Sequence, residues 1–258
     1  MGTVVCLLPF VAGCRSNAKV KGKVDQFVYA SIDKTWDESF GSRDNYRISD
    51  VAALDRATAE GMSGLVISHD GTHFCAGANL ALILELARAR RFDVIEGISR
   101  EFQQISQLIK YASLPVVAAP FSLCLGGGFE VVAPCRQIVA LAELYCGAVE
   151  VGVGLIPGGG GTLRLLTNWS ERLPPRRLGP MVPTQKAFET IAFAKVSGSA
   201  HEAVALGYLR PDNRIVLSRE HQIAVAKEMV LSLAEGYAPP EPPELVPPGP
   251  GGRLAAES

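Results

Sequence analysis

At 258 residues the chain suits one large domain, or one domain with an appendage, and it can bury a sizeable apolar core. With 25 Lys and Arg against 26 Asp and Glu, no global field argues for nucleic acid or an anionic membrane surface as the partner. Hydrophobic and charged shares of 48% and 20% are ordinary for a globular protein, and no apolar run reaches the roughly 18–20 residues that span a bilayer. The six cysteines (6, 14, 75, 124, 135 and 146) lie in apolar contexts without CxxC spacing. They read as small buried hydrophobes in a reducing compartment, with no disulfide frame or zinc site.

The N-terminal stretch MGTVVCLLPFVAGCRS reads as a first β-strand. Its VAGC, Val11–Cys14, has the form of a bacterial lipoprotein cleavage box, but no positive charge precedes Leu7. A secretory signal needs that charge, so a cytoplasmic protein with Cys14 unmodified is expected. The rest of residues 1–60 is hard to read, with a basic patch at Lys19–Lys23 and a polar run over Asp33–Asp50. VAALDRATAE (51–60) is helical and closed by Gly61, and GLVISHD (64–70) is a short buried strand. Helices follow over 80–91 and 94–111, then a buried strand over PVVAAP (115–120). A helix opens at Phe129, while QIVALA (137–142) and the run to Val153 read as short strands. Helices over 185–194 and 200–206, a strand over 214–217 and a helix over 219–234 complete the alternation, which points to an α/β class. The division expected is a divergent part over 1–60, a core over 61–184, a helical extension over 185–236 and a proline-rich tail over 237–258 that cannot form a helix.

Two glycine clusters stand beside acids: LCLGGGFE (123–130) and VEVGVGLIPGGGGT (149–162). A phosphate-binding loop would need GxxxxGK[ST], a dinucleotide fingerprint GxGxxG opening a helix, and a serine-hydrolase elbow GxSxG; none occurs in frame. An oxyanion hole remains, in which unobstructed backbone N–H groups face an oxygen that gains charge. Gly126–Gly128 ahead of a helix suits it, and the small-residue turn in HFCAGANL (73–80) is the natural second donor. The plainer alternative is two tight turns, a helix-first-turn Glu130 and a strand-end surface Glu150. His69 and His73 flank the first turn without a carboxylate partner or metal spacing, and read as surface or supporting residues.

Taken together, AGAN (76–79), LGGGFE (125–130) and VEVGVGLIPGGGGTLRL (149–165) resemble the three signature segments of the crotonase (enoyl-CoA hydratase/isomerase) superfamily. The resemblance is closest to hydratase domains fused to a 3-hydroxyacyl-CoA dehydrogenase, and it runs from about Gly64 to Arg253. It implies a spiral of ββα units with a helical C-terminal extension. It implies Ala78 and Gly127 as oxyanion donors, Glu130 and Glu150 as catalytic acids, and Ala76, Asn79, Leu80 and Gly126 as neighbours that bind substrate. The substrate implied is an acyl-CoA thioester, with no metal or redox cofactor, and the assembly a trimer, a hexamer or a longer chain fused to a dehydrogenase. Many members of the superfamily use one acid or neither; both together belong to hydratases, which add water across a conjugated thioester. An isomerase and a non-catalytic scaffold are the alternatives. The sequence departs from the family over residues 1–60, where DNY (44–46) poorly replaces an Asn-rich turn, and Asn79 stands where simpler hydratases often carry Asp.

Overall fold

The computed structural model describes residues 4–7, 51–173, 179, 181–245 and 249–250. The VAGC segment, the basic patch at 19–23 and the polar run at 33–50 lie outside the described residues. In chain order the elements are β1 (Val4–Leu7), α1 (Val51–Ala59), β2 (Leu65–Ser68), α2 (Leu80–Arg88) and α3 (Phe92–Lys110). They continue with β3 (Val116–Ala118), β4 (Ser122–Leu125), α4 (Gly127–Val132), β5 (Gln137–Leu141), β6 (Leu144–Gly147) and a 3-10 turn at Glu150–Val153. Then come α5 (Gly161–Arg172), α6 (Met181–Ala192), α7 (Ala200–Ala205), β7 (Arg214–Val216) and α8 (Arg219–Ala234). No helix among the described residues is long and apolar enough to cross a membrane.

The strands make a parallel sheet in the order β1-β2-β3-β5-β7 and a second parallel pair, β4-β6. Continuous apolar runs such as Leu-Val-Ile and Val-Val-Ala suit the main sheet because both of its faces are covered. The period of two then sorts the side chains. Ile67, Ala118 and Ile138 enter the large core, while Val66, Val117 and Val139 meet Ala226 and Val230 of α8 on the opposite face.

The second pair has a third contributor. Cys75 bridges to Cys124 in parallel, and Cys124 is in register with Cys146. The chain therefore repeats one path three times. A main-sheet strand (β2, β3, β5) leads to a segment in the second layer (Cys75, β4, β6), and a helix follows (α2, α4, α5). This is the expected ββα spiral.

The structure departs from the sequence reading at several boundaries. Helix α4 starts at Gly127, inside the glycine triplet, with Gly126 (φ 53°) as its cap. Glu150 opens a 3-10 turn where the sequence suggested a strand. Strand β4 and helix α5 were not anticipated: β4 is only four residues long, and α5 turns Arg164, Thr167 and Asn168 inward among its apolar residues, which blurs the helical pattern.

Gln222 ties α8 to the sheet. It is fully buried, and its Nε2 donates to the carbonyls of Pro120 and Val139, both at 2.8 Å. Gln222→Leu should destabilise the protein by about 1–3 kcal/mol, because the buried carbonyls lose their donor. Urea unfolding followed by circular dichroism measures it; an unchanged midpoint would refute this account of α8 docking.

Candidate active site

The three second-layer segments end at one edge of that layer, and the turn leaving each carries a motif singled out above. The Cys75 N–H donates to the Leu123 carbonyl at 2.8 Å, the Leu125 N–H to the Cys75 carbonyl at 2.9 Å, and the Gly126 N–H to the Gly147 carbonyl at 2.7 Å. This stitching lays the turn Ala76–Asn79, the triplet Gly126–Gly128 and the approach to Glu150 side by side. Gly126 lies at their junction. A β-carbon built there would sit 3.1 Å from Glu150 Oε1 and 3.7 Å from Gly77 Cα. Gly128 is equally constrained, since a β-carbon there would meet Cys75 Cβ at 2.6 Å.

Ala76, Ala78, Asn79 and Leu80 are exposed, whereas Gly126 and Gly127 are buried. Gly77, at φ 105°, gives the turn its left-handed step. Asn79 caps α2, its Oδ1 accepting the Leu82 N–H at 3.1 Å. Gly127 is the first residue of α4, and first-turn amides have no partner inside their own helix. His69 and His73 brace the preceding loop. The Gly71 N–H donates to His69 Nδ1 at 2.8 Å, so Nε2 carries the proton that the Phe74 carbonyl accepts at 2.7 Å, and His73 Nδ1 lies 2.8 Å from Ser122 Oγ.

Glu130, on the first turns of α4, is buried. Its Oε1 accepts the N–H groups of Gly159 at 2.8 Å and Gly161 at 2.7 Å, at the start of α5. The run Gly158–Gly161 is thus a cradle for a carboxylate. A β-carbon on Gly159 would lie 2.0 Å from the Phe102 ring and 2.9 Å from Glu130 Oε2. Gln103 Nε2 fixes the cradle from outside by donating to the Gly158 carbonyl at 2.8 Å. Burial raises the Glu130 pKa, and the amides of Gly161, Gly159 and Gly160 offset part of that rise.

Glu150 has a different environment. Its Oε2 is buried without a hydrogen-bond partner among the described residues. Burial pushes its carboxyl up to about 7, partly offset by its own backbone amide and reinforced by the charge of Glu130. The two acids are therefore close enough to feel each other, one cradled by amides and one poised to hold a proton near neutrality. The sequence reading missed the partners of Glu130; the PGGGG run was their only sign.

A ββα spiral that brings one buried acid, one half-buried acid and glycine-rich backbone to one edge defines an α/β protein of the crotonase fold. The chain belongs to the Enoyl-CoA hydratase/isomerase family, which it matches over residues 49–190. It is 43% identical over 199 residues to a "Probable 3-hydroxyacyl-CoA dehydrogenase" of Bacillus subtilis (strain 168), covering 77% of this chain and 25% of that protein. It is 30% identical over 189 residues to a "Peroxisomal fatty acid beta-oxidation multifunctional protein" of Oryza sativa subsp. japonica, covering 70% of this chain and 23% of the relative. The chain thus spans about a quarter of the length of these curated relatives. Among solved structures, an enoyl-CoA hydratase from Polaromonas sp. JS666 is similar at 26% identity and a TM-score of 0.57, over 71% of this chain and 65% of that one.

Two tests follow from this geometry. Gly159→Ala should destabilise the protein by about 1–3 kcal/mol through the clash with Phe102. Most of that loss should vanish in a Phe102→Leu background, since residues in contact are not additive. Additive losses in a double-mutant cycle would show that the two do not touch.

Glu150 sets the second test. A folded carboxyl held at about 7 against its ordinary 4.5 binds its proton more tightly than the unfolded chain does. Its contribution to stability is then present below the unfolded value and lost as pH rises through the folded one. Glu150→Gln should consequently gain on the parent by ~1–3 kcal/mol between about pH 5 and about pH 8, read by urea unfolding. A constant difference across that window would refute the burial of this acid.

Proposed function

We propose that the chain hydrates trans-2-enoyl-CoA thioesters to 3-hydroxyacyl-CoA. The observation that carries this reading is the unlike setting of two adjacent acids, because addition of water needs a base and an acid at once. The Glu130 carboxylate, oriented by two backbone amides, takes a proton from water, and the water oxygen bonds to the β-carbon of the enoyl group. The π electrons move toward the thioester carbonyl, whose oxygen gains charge and is held by the Ala78 and Gly127 N–H groups. Protonated Glu150 then delivers its proton to the α-carbon. One water has been added, and the two acids exchange protonation states before the next turnover.

The adjoining turns at Gly77 and Gly126 support the pair of oxyanion donors, and exposed Ala76 and Leu80 support an open approach for the thioester beside them. Asn79 serves this face by capping α2, and Gly126 by leaving room for Glu150. Relatives named for dehydrogenase and multifunctional β-oxidation proteins support a place in fatty-acid oxidation, within a longer chain that also carries a dehydrogenase. Free thiols at Cys75, Cys124, Cys135 and Cys146 support a reducing, cytoplasmic setting.

Loss of the conjugated-thioester absorbance on mixing with crotonyl-CoA measures the reaction. Glu130→Gln and Glu150→Gln should each lower kcat by roughly 10²–10⁴-fold with little change in KM, since glutamine keeps the volume and removes the proton chemistry. The double variant should fall by much less than the product of the single losses. An isomerase working through Glu150 alone would keep its activity in Glu130→Gln. Parent-like hydration by both single variants would overturn the assignment.

A further inference from the structure

The helices that frame the acids also frame a second cavity, at their other ends. Helix α3 passes Phe102 and Gln103 at the glycine cradle and ends at Lys110; α5 begins at Gly161 and ends at Arg172; the chain leaving α4 reaches Arg136. At about 1.5 Å per residue, α5 separates the two places by roughly 16 Å. The cavity has a volume of about 600 Å³. Its charged lining is Lys110, Arg136, Arg172 and Arg210 against Glu171 and Asp212, with Ala238 and Pro240 of the proline-rich stretch closing one side.

The carboxylates do not balance the cations. Asp212 is already engaged, accepting from Arg210 Nε at 3.2 Å and from Gln137 Nε2 at 3.0 Å. Among the described residues, neither Lys110 nor Arg136 has an ion-pair partner within 4.0 Å. Arg164 stands one helical turn before Asn168, a lining residue, on the same face of α5. It is only 2% exposed; no acceptor among the described residues meets its three guanidinium nitrogens in full hydrogen-bond geometry, and the neighbouring Tyr111 side chain offsets part of the fall that burial causes in its pKa. Burial lowers the Lys110 pKa and the charges of Arg164, Arg210 and Arg136 lower it further, while the Glu171 carboxylate offsets part of the fall. Lys110 and Arg172 complement the negative ends of their helices, but that role does not extend to Arg136, Arg164 or Arg210. A cavity whose cations outnumber its carboxylates, with Arg210 held by Asp212 and Lys110 and Arg136 left without an ion-pair partner among the described residues, suits a small multivalent anion, and guanidinium and ammonium groups together favour phosphate oxygens.

We propose that this cavity binds a phosphate-bearing small molecule through Lys110, Arg136 and Arg210, at a site separate from the paired acids. Isothermal titration calorimetry with inorganic pyrophosphate, and in parallel with ADP, tests it. The chain should give saturable binding of at least one probe, and tighter ADP binding would identify a nucleotide. Lys110→Met and the exposed Arg136→Gln should each weaken binding about tenfold, the loss expected for one charge-assisted hydrogen bond to phosphate, while Glu150→Gln should bind like the parent. Any of these results would overturn the proposal: no saturable binding of either probe, parent-like binding by both cation variants, or loss of binding in Glu150→Gln. Sodium chloride at matched ionic strength separates a site from general screening; if it reproduces the heats, there is no site.

Discussion

The registration of Cys75, Cys124 and Cys146 across the small second layer is the constraint on which the rest of the structure depends. Each is followed within four residues by a turn of the candidate site: Ala76–Asn79, Gly126–Gly128, and Ala148–Glu150. Parallel pairing makes the three segments leave the same edge, because each enters the layer in the same direction from a neighbouring main-sheet strand. A slip of one residue in any of them would turn every side chain of that segment over. The gap at Gly126, where Glu150 and Gly77 both approach, would then close. The small side chains are part of this arrangement. Sulfhydryls fit where backbone must come near, as Cys75 does against Gly128.

The glycines follow from that closeness. Gly159 and Gly161 place bare amides on Glu130, and Gly159 also leaves room for Phe102. Burial disfavours the charge of both acids, but only Glu130 receives amide donors from another segment in return. The same fold thus produces two carboxyls of different proton affinity from residues of identical chemistry. Mutual repulsion widens the difference, since the charge on Glu130 further raises Glu150.

Much of this was legible in the sequence. The buried runs Leu65–Ser68, Val116–Ala118 and Gln137–Leu141 announced the main sheet through their apolar character, and α8 through its length. The two acids and the glycine triplet stood out because glycine beside an acid is hard to explain by propensity. What the sequence did not show was pairing. Strand β4 is four residues of half-buried character, too short for alternation to be seen, and α5 opens on glycine and turns Arg164 and Asn168 inward. The bonds from the PGGGG run to Glu130 join residues about thirty positions apart, and no local signal encodes them. The cationic cavity was equally invisible, because its members come from α3, α5, the start of β5 and the loop at Arg210.

The C-terminal third is integral to the site through one turn. Gly207, at φ 86°, lies against the Trp169 indole, where a β-carbon would meet Nε1 at 2.4 Å, and its carbonyl accepts from Asn168 Nδ2 at 3.0 Å. Arg172 completes the anchor of α5 by donating to the Val204 carbonyl. The next residue, Tyr208, is fully buried, and its hydroxyl accepts the Ala148 N–H at 3.1 Å while donating to the Lys195 carbonyl at 2.6 Å. Adjacent residues of one turn therefore hold α5, whose first amides cradle Glu130, and the backbone two positions before Glu150. Both acids thus rest on this shared support as well as on the segments that bear them. A helical segment that looks like an appendage in the sequence thereby supports the backbone around both acids.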